Sequence, residues 1–517
     1  MEKMRIEKKS ETKSSVLRLI VVLLSLIVHI IWGGWLLRFL EMNRPWVDVL
    51  YAILTVVLAL LVYGRHMNAS YKLPWIILIL GLPPMGMMLY LFFGRKGALS
   101  KQKSEYRGLD EALAQIYPPN KNIVEEIEND DPHVASSINY IINQGGFSIW
   151  KHTRTEFYND GAVGAAAQIE ALKKAEKYIF MEYHAVEDSI GFEPFKKVLM
   201  EKARAGVEVR LIFDDIGSIM FIDKSFSREL ESAGVQVRDF NPVSPIIHVF
   251  MNYRDHRKIT VIDGKVGFVG GYNLADEYFH ITEPYGFWKD TGVKITGDAV
   301  KSLVLIFIGM WNYIKLTDSG EDGEKYTTVP CEDIEDDGYV LPYADSPMLQ
   351  EPLAETVYMN MLRTAKKYCW FCTPYLIITD EMSRELVDAA KRGVDVRIIT
   401  PGIPDKKLVY SETRSYYAQL ARDGIRIYEY TPGFCHAKMC VSDDVSAIVG
   451  TINLDFRSLY LHFENGIYFY KSNVVGDIKA DFQEMFEVSR EVTDKYDHRN
   501  LSLRIRQCLL RLVSPLM

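Results

Sequence analysis

Two groups of residues in this 517-residue chain recur at one fixed interval. His256, Lys258, Asp263, Gly270 and Asn273 return as His436, Lys438, Asp443, Gly450 and Asn453, each 180 positions later. One His-x-Lys-x4-Asp string arises by chance; two, with glycine and asparagine at matching offsets, mark a designed repeat. Histidine exists near neutral pH both as a free base and as a cation, so a pair can divide the work of nucleophile and of acid and base. Lysine and asparagine add fixed charge and amide hydrogens suited to phosphate oxygens. The repeat points to one phosphate-handling site assembled from both copies.

The residues around each motif predict how it is positioned. Ile259–Ile262 and Met439–Ser442 read as strands, and residues two apart on an extended chain share a face, so each His-x-Lys pair points one way. Asp263-Gly264 and Asp443-Asp444 carry turn chemistry between apolar strands. Asp263 and Asp443 complete the candidate catalytic set, with pinning a hairpin favoured over touching substrate. Upstream, Lys177–Met181, Arg204–Arg210 and Gly234–Val237 parallel Lys367–Phe371, Arg392–Arg397 and Gly424–Ile427. Each set reads strand, helix, strand, helix, strand, which is α/β character. The expected divisions are a transmembrane region at 1–94, a polar connector at 95–150, a first half at 151–316, an acidic loop at 317–338 and a second half at 339–517.

Composition sets further bounds. A net charge of −8 argues against a nucleic-acid partner. The six cysteines follow no disulfide or zinc spacing, and Cys369-x-x-Cys372 lies in an apolar run where positions three apart face opposite sides of a strand. Three apolar segments, 19–37, 46–63 and 73–93, each approach the ~20 residues that cross a bilayer as a helix. They predict an all-α, multi-pass membrane anchor with the catalytic part facing the cytoplasm. Basic residues flank both ends of the region, Lys3 to Lys13 and Arg95 to Lys103, so Gly81, Pro83, Pro84 and Gly86 make the third segment a candidate re-entrant one. Arg504, Arg506 and Arg511 among leucines predict a basic amphipathic C-terminus.

With these motifs in hand, the chain resembles the phospholipase D superfamily and, within it, the bacterial cardiolipin synthases. Pro84-x-Gly86, Leu91-Phe92-Phe93-Gly94, Trp288-Lys289-Asp290-Thr291 and Asn453-Leu454-Asp455-x-Arg457-Ser458 carry the narrower likeness, while His462 stands where that family usually has asparagine. The resemblance implies two similar phospholipase D-like α/β halves with mixed sheets around one active site. It also implies transfer of a phosphatidyl group between two phosphatidylglycerols, giving cardiolipin and glycerol through a phosphohistidine. His256 is then the nucleophile and His436 the acid and base. Asn273 and Asn453 cradle phosphate, Glu464 is expected to orient His436, and Asp290 to orient His256. No metal or cofactor is expected, because lysine and asparagine supply the charge and donors. Membrane phospholipids are the expected partners; hydrolysis by water and an inactive scaffold are the alternatives.

Overall fold

The computed structural model describes residues 45–496, apart from 66–67, 95–99, 244–251, 318–321, 328–333, 335–336 and 350, with a few residues nearer each end. In the first half, β1 (Thr153–Tyr158), β2 (Tyr178–Tyr183), β3 (Glu208–Asp214), β4 (Gln236–Phe240), β5 (Lys258–Ile262), β6 (Val266–Gly270) and β7 (Gly292–Gly297) form one mixed sheet. Its spatial order is β1-β7-β6-β5-β2-β3-β4. The second half supplies β8 (Tyr339–Asp345), β9 (Tyr368–Cys372), β10 (Asp395–Pro401), β11 (Arg426–Tyr430), β12 (Met439–Ser442), β13 (Ser446–Gly450) and β14 (His462–Tyr470). These run β8-β14-β13-β12-β9-β10-β11, with β15 (Ser489–Glu491) added at the β11 edge. The two orders are the same topology, so the sequence repeat is a repeat of fold.

Parallel neighbours need crossovers, and the chain provides them as helices. Glu193–Arg204 and Lys224–Ser232 link β2, β3 and β4, which pair in parallel; Asp380–Lys391 and Lys407–Arg422 do the same for β9, β10 and β11. The first helix of each set is followed by a glycine in the left-handed region, Gly206 at φ 93° and Gly393 at φ 92°, a conformation that releases the chain into the next strand. The helix Val300–Ile314 lies in a core shared by both sheets, with Leu303 and Phe307 fully buried among Phe180 and Val261 of one half and Val441 and Phe469 of the other. Each such side chain contributes roughly 1.5–3 kcal/mol by leaving water, so the halves hold each other in place.

The stretch before β1 is helical and packed. Ser100–Ala114, Lys121–Asp130 and Pro132–Gly145 bury Tyr106, Ile127 and Ile138. Within the acidic 317–338 segment the described residues include a short helix, Asp322–Thr327, whose Tyr326 is buried and bonded to Glu208 at 2.8 Å. All four described thiols are free and buried: Cys369 faces Cys440 on one side of β9, and Cys372 faces Cys435 on the other.

The N-terminal helical region corrects the expected topology. Helices α1 (Pro45–Tyr63), α2 (Ala69–Gly81) and α3 (Pro83–Leu89) pack through Val62, Trp75, Ile79 and Met87, leaving Trp46, Val49, Ile53, Leu60 and Leu61 of α1 exposed. Among the described residues one helix, Trp46–Tyr63, is long and apolar enough to cross a membrane, with mean hydropathy 2.2. The 73–93 segment is not a continuous helix. Leu82 turns to φ −132°, because Pro83 and Pro84 have no N–H to continue the hydrogen-bond ladder, and helices of 13 and 7 residues result. Neither reaches the ~20 residues of a crossing. The multi-pass membrane localisation with a cytoplasm-facing catalytic part is therefore set aside for a helical region with one candidate crossing. Most of 19–37, the basic residues Lys3 to Lys13, Arg95, Lys96, Arg504 and Arg506 lie outside the described residues.

Candidate active site

Each motif histidine is anchored on the opposite half. Arg254-Asp255 pairs in parallel with His462-Phe463 at the start of β14, and His256 N–H donates to the Phe463 carbonyl at 2.9 Å. Gly433–Cys435 pairs in parallel with Phe287–Lys289, and His436 N–H donates to the Lys289 carbonyl at 2.7 Å. The residue after each carbonyl is a fully buried acid, Glu464 in one case and Asp290 in the other. His256 Nδ1 lies 2.9 Å from Glu464 Oε1, and His436 Nδ1 lies 2.6 Å from Asp290 Oδ2. The expected pairing of Glu464 with His436 and Asp290 with His256 is thus reversed, because the strand exchange brings each carboxylate to the other half's histidine. The motif glycines Gly270 and Gly450 pair with Gly292 and Gly466, and Asp290 and Glu464 each stand two residues before those partners.

Both histidines line one cavity of about 690 Å³ together with Asn273 and Asn453. Nδ1 held by a carboxylate leaves Nε2 of each ring as the reactive nitrogen. His256 lies against His184 and His462 at ring distances of 4.9 and 5.4 Å, whereas His436 is walled by Tyr278, Trp288 and Phe434. Lys258 Nζ donates to the His256 carbonyl at 2.7 Å, and Lys438 Nζ donates to the His436 carbonyl while standing 2.8 Å from its Nδ1. Asn273 accepts from Ala185 N–H at 3.1 Å and donates to Tyr278 Oη at 2.8 Å. Asn453 donates to Asp455 at 3.3 Å, and its buried Oδ1 has no partner among the described residues.

Burial shifts the titratable groups of the site toward their neutral forms. Burial, and then the neighbouring lysines, hold His256 and His436 well below the usual imidazole range. Burial lowers Lys258 to about 7 and Lys438 to about 8, the charge of Lys438 adding to the fall of Lys258. Burial likewise raises Asp290 to about 7. The negative charge of a phosphodiester bound beside the lysines would oppose these shifts.

Asp263 and Asp443 are not brought into this cavity. Both sit in the left-handed region, at φ 54° and 55°, at the far ends of β5 and β12 from the histidines. Five residues of strand separate Asp263 from the His-x-Lys step by roughly 16 Å. The Asp263 carboxylate accepts the N–H groups of Glu176, Lys177 and Tyr178; Asp443 accepts those of Lys366, Lys367 and Tyr368. Sequence reasoning missed His184, whose Nδ1 meets the Asp255 carbonyl at 2.7 Å, and Arg254, which grips buried Asp214 at 2.8 Å. Neither carries a repeated spacing that would single it out. His256, His462 and Glu464 offer three ligand atoms within 4.8 Å of one another, but Arg457 Nε stands 3.3 Å from His462 Nε2 and sets a fixed positive charge against a cation there.

Two mixed-sheet halves that exchange strands to place one histidine each in a common cavity, with Lys258 and Lys438 buried beside them, define a phospholipase D-like enzyme. The chain belongs to the bacterial cardiolipin synthase family of that superfamily. The family model described as "Cardiolipin synthase, PLD-like domain" matches residues 168–296 and 358–486, and "Phospholipase_D-nuclease N-terminal" matches 49–95. Cardiolipin synthase of Geobacillus thermodenitrificans is 33% identical over 515 residues, covering 98% of this chain and 100% of the relative. Cardiolipin synthase of Halalkalibacterium halodurans is 33% identical, covering 94% and 95%. An uncharacterized protein of Streptococcus mutans is 37% identical, covering 88% and 98%. The crystal structure of phosphatidylserine synthase from Haemophilus influenzae shares the fold, with a TM-score of 0.57 at 15% identity over 74% of this chain and 99% of that one.

Proposed function

We propose that this protein is a cardiolipin synthase, moving a phosphatidyl group from one phosphatidylglycerol to another and releasing glycerol. The observation that carries the reading is the crossed pair of histidine–carboxylate contacts in a single cavity, in a chain that matches cardiolipin synthases end to end. His256 Nε2 attacks phosphorus while the bond from phosphorus to the glycerol oxygen breaks, and protonated His436 gives that oxygen its proton. The hydroxyl of the second lipid then attacks the phosphohistidine, His436 takes its proton, and the bond to His256 breaks. Lys258, Lys438, Asn273 and Asn453 hold the equatorial oxygens throughout. Glu464 and Asp290 keep Nδ1 of their partners protonated and stabilise the imidazolium forms. Exchange of one phosphodiester for another is nearly balanced, so no nucleotide is needed. Residues 151–316 and 339–517 form the catalytic pair in this reading. Incubation of the purified protein with phosphatidylglycerol vesicles is expected to yield cardiolipin and glycerol; phosphatidic acid without cardiolipin would contradict it.

A further inference from the structure

Most of the exposed large apolar side chains described in the two catalytic halves gather around the catalytic cavity. After β3 the chain turns through Asp215–Ser218 and leaves Ile216, Met220 and Phe221 exposed. After β10, the strand at the equivalent place in the second sheet, it leaves Ile403 and Leu408 exposed. Ile216 and Phe221 line the cavity from the first half; Lys406 and Val409, which bracket Lys407 and Leu408, line it from the second. A third segment, 281–287, adds exposed Ile281 and Phe287. Its Tyr285 lines the cavity, Phe287 stacks on His280 at 4.4 Å, and Gly286 lies against Ile403.

An exposed apolar side chain is ordinary when it stands alone, but a group that frames a cavity marks a contact surface. The loops after β3 and β10 differ in sequence yet expose the same kind of side chain at equivalent positions of the fold. Charges among them are of both signs, Lys224, Lys406 and Lys407 against Asp223, Asp405 and Glu283, so apolar area rather than net charge gives the surface its character. A protein partner or a second copy seated here would stopper the cavity, whereas a bilayer would cover the rim and deliver phospholipid to it at once. Lys407 beside Leu408 suits such a boundary, because a lysine stem lies along acyl chains while its ammonium stays at the headgroups.

Resting on the reading above, we propose that the loops 215–221, 281–287 and 402–408 form a docking rim that inserts Met220, Phe221 and Leu408 into a bilayer surface, so that phosphatidylglycerol enters the cavity without crossing water. The full-length protein in phosphatidylcholine vesicles is given either long-chain phosphatidylglycerol in the bilayer or the water-soluble dihexanoyl lipid, and glycerol release is followed. Met220→Glu and Leu408→Glu, at positions that do not line the cavity, are each expected to slow release from the long-chain lipid about tenfold and to leave release from the short-chain lipid unchanged. Leu408→Met is expected to keep both rates. Unchanged long-chain rates in both glutamate variants, or equal loss with both lipids, would overturn the docking rim. A short-chain rate raised in both would assign the surface to a protein or second copy and overturn it too. A readout free of turnover is a fluorophore on Met220→Cys in a chain carrying Cys331→Ser and Cys508→Ser, the four other thiols being buried. Lipids spin-labelled in their acyl chains are expected to quench it, and not to quench one on Lys174→Cys near the Asp263 turn; equal quenching at both, or none at Met220, would overturn the rim. Quenching at Met220 alone, with no glycerol released from either lipid by the unaltered chain, would overturn the proposed function and leave the rim standing.

Discussion

Burial and nearby ammonium groups oppose a positive charge on His256 and His436, while the carboxylates at 2.9 and 2.6 Å favour it. This opposition keeps a neutral imidazole available for attack and still lets its partner carry a proton during turnover. Removing the carboxylate charge with its shape retained should leave binding largely intact and slow the chemistry. Asp290→Asn is expected to lower kcat by about 10²–10⁴ through loss of tautomer control over His436, with KM little changed. Steady-state kinetics on the folded variant check this, and a purely higher KM would contradict it. The lysines give a pH signature. An ammonium is charged below its pKa, so in the proposed reaction phosphate binding by the free enzyme should be full well below 7 and be lost as pH rises through about 7 to 8. kcat/KM should fall over that range, while the fall in kcat lies at higher pH because bound phosphate stabilises both ammonium groups. Coincident profiles would contradict a phosphate contact.

At the scale of elements, the motif aspartates act as clasps. Each gathers three main-chain N–H groups at the start of the strand beside its own, β2 for Asp263 and β9 for Asp443, and so fixes the depth of β5 and β12. Asp263→Ala forfeits charge-assisted bonds and places a residue without a local acceptor at φ 54°, at a cost of about 2–4 kcal/mol. Thermal or denaturant unfolding should show that loss, while activity per folded molecule is kept; Asp263→Asn should recover part of the stability. Activity lost without any change in stability would return the aspartate to the chemistry. The turn at Asp263-Gly264 was legible because its residue types are specific to turns. The exchange that carries Phe287–Lys289 to Gly433–Cys435 was not, since a three-residue pairing between distant segments leaves no periodicity. For that reason the carboxylates were legible as residues and misassigned as partners. The 73–93 segment failed for another reason: its average apolarity hid a break set by two adjacent prolines.

The whole molecule depends on a duplicated half that is incomplete alone. Each sheet brings its own histidine and lysine, but the acid for each histidine comes from the other sheet, and the helix Val300–Ile314 buries its apolar face in the core both share. The 180-residue repeat made the duplication legible from sequence, whereas the mutual dependence needed coordinates. The near-symmetry is broken around the two histidines. His256 faces polar rings, His184 and His462, while His436 faces an aromatic wall. This asymmetry suits one histidine as nucleophile and the other as proton carrier. The most direct measurement is trapping of the covalent intermediate after mixing phosphatidylglycerol, labelled in its phosphate, with the protein and quenching in base, where phosphohistidine survives. The account predicts label on His256 in the unaltered chain, retained in His436→Ala and absent from His256→Ala. Label that persists in His256→Ala and vanishes in His436→Ala would contradict the assignment, and no label in any of the three would contradict covalent transfer itself.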